Sequence, residues 1–251
     1  MQEPETLPAQ SALAIRLQLA LEGGDAAALN RLIEEHPGIS SVLLVEDNGD
    51  VGRPLHLYAN APGHRPHPAE IVGALVRDGA DIDAPAIGAW HHETALHWAA
   101  SNDDVELIDA LLDAGADIER PGSSINGGPP LQSATGYGQM QAVRRLVERG
   151  AVYFVWHAAA LGMMTELAEL LADAPSSDDL GGALWQAARN GQITAGRLLV
   201  EHGADVNWRA PWSDETPLDI ARTAGHLEVA AWLLDNGAVP GPTAPGVRSS
   251  Q

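Results

Sequence analysis

Histidine is the side chain of this sequence that most readily does chemistry near neutral pH, and five of the ten histidines fall in two short groups. The run His91-His92-Glu93 precedes a helix opening that carries His97, while His64 and His67 lie in a proline-rich insertion. Paired histidines bind zinc when they share one face and a further ligand closes the site. The two groups are predicted to lie at opposite ends of the helices, and neither has the ligand count of a zinc motif. We therefore expect no metal site.

Acid–base catalysis is the other chemistry that the residue types allow. Carboxylates on later turns could approach His157, which follows Trp156: Asp214, Glu215 and Asp219. A histidine beside a carboxylate can exchange protons with a substrate, but ten histidines and 34 acids supply such pairs by chance. The sequence has no phosphate-binding glycine loop, nucleophile elbow or kinase signature. We expect a non-catalytic protein without a cofactor; were it an enzyme, His157 and Asp219 are the candidate catalytic residues.

The composition excludes several classes of function. The 251 residues carry 14 basic and 34 acidic side chains, for a formal net charge of −20, and no cysteine. Without cysteine there is no disulfide scaffold, thiol nucleophile or cysteine-type zinc site. Such an acidic chain repels nucleic-acid phosphates and anionic membranes, so we expect neither partner. No secretion signal and no apolar run of bilayer length is visible, which predicts a cytoplasmic protein.

One cluster of positive charge interrupts the acidic background. Arg144, Arg145 and Arg149 fall close together near the end of a predicted helix. They could hold an acidic partner or the carboxylate of a ligand. They are more simply explained as solvated residues near a helix C-terminus, where cations are favoured.

A repeated pattern dominates the rest of the sequence. Gly-Ala-Asp occurs three times, and a shortened Gly-Ala twice, at 79–81, 115–117, 203–205, 150–151 and 237–238. An apolar pair such as Leu111-Leu112 precedes each one, and an opening such as Thr94-Ala95-Leu96-His97 lies further upstream. Threonine suits a helix N-cap, and glycine suits a helix C-terminus. Each unit is therefore predicted to be two antiparallel helices plus a projecting turn, and such units must stack to bury their apolar faces.

This pattern resembles the ankyrin repeat. The best matches are Thr94–Asp117, Ala187–Asn207 and Thr216–Ala238, and the resemblance covers about residues 12–238. It implies an all-α solenoid of stacked helix–turn–helix units, with projecting hairpins and a concave groove, in a standalone, bacterial-type protein of about seven repeats. We predict one domain over residues 11–238 between tails at 1–10 and 239–251, with units at approximately 11–38, 52–84, 92–119, 128–152, 153–175, 181–209 and 214–238.

The fifth unit departs from the pattern. The intervals between units shorten there, because the chain passes from Gly150 to Val155 with almost no room for a hairpin. The following segment, Ser176–Gly182, also lacks Gly-Ala-Asp. We therefore expect a notch at this unit, flanked by projecting hairpins at Glu119–Gly128 and Asn207–Glu215.

Tryptophan is concentrated around this notch. Trp156 and Trp185 stand at the position that earlier units give to a histidine such as His97, which the ankyrin resemblance assigns to a hydrogen-bonded turn network. Two interpretations remain open for this pair: packing that fills gaps, or the wall of an aromatic binding pocket. Trp208 and Trp212 fall on a projecting turn, where we favour binding, because exposed turns rarely keep two indoles for packing alone.

The resemblance implies a non-catalytic scaffold that binds a protein through its concave, Trp-rich groove. A neutral or basic partner suits the negative field of the chain. The predicted contact residues come from the projecting turns and the notch: Trp90, His91, His92, Trp156, Trp185, Trp208, Trp212 and Asp214. A small-molecule site or an enzyme in the Trp/His-lined notch is the alternative. A third possibility is a stack whose tryptophans only pack, in which case replacing Trp208 and Trp212 by alanine leaves all binding unchanged.

Overall fold

Short helices in pairs make up almost all of the regular structure. The computed structural model describes residues 5–47, 49–88, 92–125 and 127–241. These residues divide into two compact units between Val152 and Tyr153. Eight α-helices and a small sheet belong to the first unit, and six α-helices belong to the second. The predicted all-α fold is therefore confirmed in each unit.

In the first unit the helices form two rows. Helices α1, α3, α5 and α7 pack side by side in one row, and α2, α4, α6 and α8 pack in the other. This is the arrangement by which stacked pairs bury apolar faces that one pair cannot bury alone. The bounds are α1 (Ala12–Glu22), α2 (Ala26–Glu35), α3 (Pro54–Ala59), α4 (Pro68–Arg77), α5 (Ala95–Ser101), α6 (Val105–Asp113), α7 (Pro130–Tyr137) and α8 (Met140–Glu148).

The second unit repeats this arrangement with three helix pairs. Helix α11 packs between α9 and α13, and α12 packs on α14. The bounds are α9 (Val155–Leu161), α10 (Met164–Ala172), α11 (Ser177–Arg189), α12 (Ile193–Glu201), α13 (Pro217–Thr223) and α14 (Leu227–Asp235). Within the described ranges, none of the helices is long and apolar enough to cross a lipid bilayer.

The Gly-Ala-Asp motif ends a helix and starts a turn. Gly79 adopts a positive φ of 101°, which glycine tolerates without steric cost, so the chain can leave α4. The Ala80 N–H then donates to the Leu75 carbonyl at 3.0 Å. The Asp81 carboxylate accepts the Asp83 N–H at 3.1 Å, which fixes the following turn. The same aspartate bond recurs at Asp117 and Asp205, so the motif is explained by turn geometry.

The predicted N-terminal tail is wrong where the chain is described. Residues Thr6–Pro8 form strand β1, which pairs in parallel with β2 (Leu43–Val45), and β2 pairs antiparallel with β3 (Val51–Gly52). Backbone hydrogen bonds hold these strands together, such as the one from the Leu43 N–H to the Glu5 carbonyl at 2.8 Å. Because such short pairing needs no long apolar periodicity, the sequence pattern did not predict the strands.

Two further boundaries differ from the prediction. Helix α11 begins at Ser177, before the predicted unit start at 181, because the Ser176 hydroxyl oxygen accepts the Asp179 N–H at 3.1 Å and caps the helix. The predicted C-terminal tail is also anchored at its start. Val239 N–H donates to Asn207 at 2.7 Å, and Gly241 N–H donates to Asp219 at 2.9 Å.

Candidate functional site

Three indoles of the second unit meet beside the first turns of α11. We call Trp185, Trp208 and Trp212 the tryptophan cluster. The ring centroids of Trp185 and Trp212 lie 5.6 Å apart at an interplanar angle of 83°. Those of Trp208 and Trp212 lie 6.0 Å apart at 63°. Both pairs have the edge-to-face geometry that aromatic quadrupoles favour, so the cluster is an ordered surface.

Helix α11 positions Trp208. The indole lies directly on Gly181, where an added Cβ would overlap the ring. The Trp208 Nε1–H also donates to the Asp178 carboxylate at 3.3 Å. A glycine and a hydrogen-bond acceptor on consecutive turns of one helix thus hold this side chain half-buried.

A short hairpin positions Trp212. The Ala210 N–H donates to the Glu215 carbonyl at 3.0 Å, and the Asp214 N–H donates to the Ala210 carbonyl at 2.8 Å. The Asp214 carboxylate accepts from Arg209 at 3.2 Å, which braces the turn. Trp212 is 64% exposed despite its contacts with two other indoles. Large exposed apolar side chains on a braced turn are typical of a binding surface.

Trp185 is the buried member of the tryptophan cluster. It is only 4% exposed, and its Nε1–H has no hydrogen-bond partner among the described residues. The guanidinium of Arg189 lies 5.6 Å from its ring centroid, within the range of a cation–π contact. Trp185 therefore presents little surface of its own, and its visible effect is to hold Trp212.

The turn network explains why the position of Trp185 matters. In the first unit, His56 Nε2 lies 3.0 Å from the Glu93 carbonyl, and His97 Nε2 lies 3.2 Å from the Gly128 carbonyl. Each bond links a helix to the residue that precedes the N-cap of the next odd-numbered helix. Trp185 occupies the corresponding position of α11, counted back from the turn that ends the helix. Helix α11 thus has an aromatic contact where α3 and α5 have a polar link.

His157 has a structural role that the sequence analysis missed. Its Nδ1 accepts the Phe154 N–H at 3.0 Å at the start of α9, as His97 Nδ1 accepts the Thr94 N–H at 3.1 Å in α5. His157 is the third of the seven residues of α9, as His97 is of α5, so His157 holds the histidine position and its predicted assignment to Trp156 is wrong. The feature that identifies this role is the start of α9 directly after Phe154, which makes His157 the third residue of the helix. The spacing between repeats alone did not reveal it.

The environment of His157 keeps the imidazole neutral. The side chain is 2% exposed, and burial lowers its pKa to about 3. Because Nδ1 accepts a hydrogen bond, the proton of the neutral ring is assigned to Nε2, which has no partner among the described residues. The ring stacks on the half-buried Trp156 with centroids 3.4 Å apart. A neutral, enclosed imidazole has no access to a substrate in this conformation.

Asp219 is occupied by a helix cap. Its carboxylate accepts the Thr216 N–H at 3.0 Å, the Thr216 hydroxyl at 2.8 Å and the Gly241 N–H at 2.9 Å. Burial alone would raise the pKa of Asp219, but the hydrogen bonds from Thr216 and Gly241 outweigh it and hold the pKa below its ordinary value. The structure therefore does not bring Asp219 and His157 together: they bond to different partners, on α13 and α9, with α11 packed between these helices.

The remaining predicted residues are scattered. Trp90 and His91 lie outside the described residues, and His92 is exposed. Arg149 pairs with Asp109 at 2.7 Å and with Asp113 at 2.6 Å, so its charge is compensated within the first unit. This favours the structural interpretation of the arginine cluster.

The histidine-bearing insertion is held by polar contacts. The His64 N–H donates to Asp104 at 2.5 Å, and His64 Nε2 lies 3.1 Å from the Asn102 carbonyl. Among the residues that the structure describes, no group of three or more metal-ligating side chains comes together. A cleft of about 470 Å³ opens nearby, lined by Gly23–Ala27, Pro66, His67 and Glu70, and it contains none of the predicted aromatic contacts.

Comparison with protein families gives a consistent result along the chain. The family model of ankyrin repeats matches in three copies, over residues 17–122, 55–154 and 155–244. The chain also resembles the crystal structure of the human ASB11 ankyrin repeat domain, with a TM-score of 0.55, 21% identity and coverage of 91% of this chain and 99% of that one. This likeness concerns the fold alone.

Two curated relatives are much longer proteins. The chain is 26% identical over 184 residues to the ankyrin repeat and KH domain-containing protein mask-1 of Caenorhabditis elegans, which covers 68% of this chain and 7% of that protein. It is 28% identical over 228 residues to the E3 ubiquitin-protein ligase XBAT32 of Arabidopsis thaliana, covering 91% of this chain and 37% of that one. The chain thus spans well under half the length of these relatives.

Proposed function

The chain belongs to the ankyrin repeat family, and we propose that it is a non-catalytic scaffold that recognises a neutral or basic protein partner through the tryptophan cluster. Ankyrin repeats indicate a protein–protein interaction scaffold. Fold alone does not select a binding surface or the charge of a partner, and both depend on the exposed side chains.

The exposure of Trp212 is the observation that carries the proposal. An indole left 64% exposed while its two neighbours are buried or half-buried offers a large apolar area on a rigid support. Tryptophan is enriched at interface hot spots, where a partner completes the burial of such a side chain. The half-buried Trp156, and Trp90, His91 and His92 in the first unit, remain proposed further contacts.

The charge of the chain supports a neutral or basic partner. A net charge of −20 repels an acidic protein and attracts a basic one, more strongly at low salt. We also propose a cytoplasmic location, on the composition of the chain. A small-molecule or enzymatic role finds less support, because His157 is enclosed and the carboxylate of Asp219 is bound in a cap.

A comparative pull-down tests the proposal. Wild type, Trp208→Ala/Trp212→Ala and Leu227→Ala are used as baits in native lysate, after circular dichroism confirms equal helicity. Leu227 is the matched control, since it is 72% exposed in the same unit but lies outside the tryptophan cluster. We expect one protein to be retained by wild type and by Leu227→Ala and lost from the double variant. Equal retention by all three baits would refute this site.

A further inference from the structure

Two carboxylates near the tryptophan cluster have no cationic partner among the described residues. Asp178 accepts the Trp208 indole N–H at 3.3 Å, and Glu215 accepts the Ser213 hydroxyl at 2.9 Å. Neither forms an ion pair with any described residue. Asp214, in contrast, is paired with Arg209. Within the part of the chain that the structure describes, the aromatic surface therefore lies beside two carboxylates that no cation pairs with.

This local excess belongs to a wider one. Between Tyr153 and Gly241, twelve acidic residues face four arginines. Two of those arginines are already engaged near the cluster, Arg209 with Asp214 and Arg189 with the ring of Trp185. A partner that supplies further positive charge would thus meet a complementary surface.

The chain itself places one cation against the cluster. The guanidinium carbon of Arg189 lies 5.6 Å from the Trp185 centroid, so one indole of the three already holds a planar cation. Trp212 is the exposed member of the same cluster. A guanidinium stacks on an indole face and is more weakly hydrated than an ammonium, so arginine is favoured over lysine at such a surface.

We propose that the tryptophan cluster binds an arginine-bearing segment of the partner, with a guanidinium on the face of Trp212 and the carboxylates of Asp178 and Glu215 beside it. This inference rests on the proposed function, because it names the chemistry of the partner at the same surface. It adds that the contact requires a planar cation, which a neutral apolar segment would not satisfy.

Titration with three synthetic peptides tests this. Each is a Gly/Ser peptide of about ten residues with three variable positions, filled by arginine, by lysine or by citrulline, the uncharged isostere of arginine. Binding is followed by calorimetry at about 150 mM salt, where the Debye length is only about 8 Å and long-range attraction is weak. We expect the arginine peptide to bind more tightly than the lysine peptide, and the citrulline peptide to bind least.

Variants assign the binding to the cluster. Trp212→Ala should weaken binding of the arginine peptide by about tenfold, which is within the range for cation–π contacts between exposed and desolvated sites. Trp212→Phe should retain part of this affinity, because phenylalanine also offers an aromatic face. Leu227→Ala, at an exposed apolar residue outside the cluster, should bind as wild type does. Equal binding of arginine and lysine peptides that survives Trp212→Ala would overturn the proposal, since simple charge attraction then suffices. If none of the three peptides binds while the pull-down still retains a protein that requires Trp208 and Trp212, the proposed guanidinium contact is wrong. The proposed function would then still stand.

Discussion

Trp212 and Trp185 form an edge-to-face pair in which one indole is exposed and the other is buried, with their centroids 5.6 Å apart. The pair couples the surface to the core, because Trp185 lies on α11 at the position where the first unit places a network histidine. A partner that binds Trp212 therefore contacts a side chain whose orientation is set by the helix stack. Such preorganisation reduces the ordering cost of binding.

Gly181 should be required for the position of Trp208. A Cβ at Gly181 would overlap the indole, so Gly181→Ala should displace the ring and destabilise the fold by about 1–3 kcal/mol, as overpacking commonly does. Urea unfolding followed by circular dichroism measures the change. Gly182→Ala is the matched control on the same helix, because its nearest neighbour would be 3.9 Å from the new Cβ. This control should be neutral or slightly stabilising, since alanine favours the helix. Equal effects of the two variants would mean that Trp208 does not pack on Gly181.

The two tryptophans of the edge-to-face pair should differ sharply in their contribution to stability. Trp185→Ala leaves a cavity in a buried cluster and should cost about 3–5 kcal/mol. Trp212→Ala removes a largely exposed ring and should cost less than about 1 kcal/mol. Chemical denaturation of both variants gives the comparison. A large loss from Trp212→Ala would show that this residue serves packing and would weaken the case for a binding surface.

Acid should destabilise the fold through its buried histidines. Burial lowers the pKa of His157 to about 3 and that of His56 to about 4, although the latter keeps a bond to the Glu93 carbonyl. In the unfolded chain an imidazole titrates near its ordinary value of about 6.5. Protons therefore bind the unfolded state first as the pH falls through this value, and stability present above it is lost. One such histidine accounts for about 1.4 kcal/mol between about pH 7.5 and pH 5.5.

The contribution of His157 to this pH dependence can be measured by replacing it with glutamine, which the chain itself has at the matching helix position. Gln132 holds the third position of α7, as His157 does in α9, so His157→Gln is a conservative exchange. Urea midpoints at the two pH values should differ less in this variant than in wild type. Replacement of the exposed His202 by glutamine provides the control. An unchanged pH dependence in His157→Gln would mean that this imidazole is not held neutral by the fold.

Local signals made the helix pairs predictable from the sequence. Ser11 and Asp25 are of the residue types that favour N-caps, and they accept the Ala14 N–H at 3.2 Å and the Ala28 N–H at 2.9 Å. Each of these bonds spans three residues, so the residue types alone reveal it. The placement of Trp208 and Trp212 on a turn was also predictable from local sequence, because they follow the Gly-Ala-Asp motif at 203–205.

Contacts between distant residues were not predictable. Trp208 and Asp178 are 30 residues apart, and nothing in either segment names the other. The pairing of β1 with β2 is equally remote along the chain. The enclosed state of His157 depends on how α9 packs against α11, so a histidine that the sequence made a catalytic candidate proves to cap a helix.

Site-specific photo-crosslinking tests the central claim, that Trp212 lies at the partner interface, most directly. A photoreactive phenylalanine analogue replaces Trp212 in one preparation and Tyr137 in another; Tyr137 is 52% exposed and belongs to the first unit. Both are irradiated in native lysate, with excess wild-type protein as competitor. The account predicts a protein adduct at position 212 that the competitor suppresses and that position 137 does not form. No suppressible adduct at position 212, or the same adducts at both positions, would contradict it.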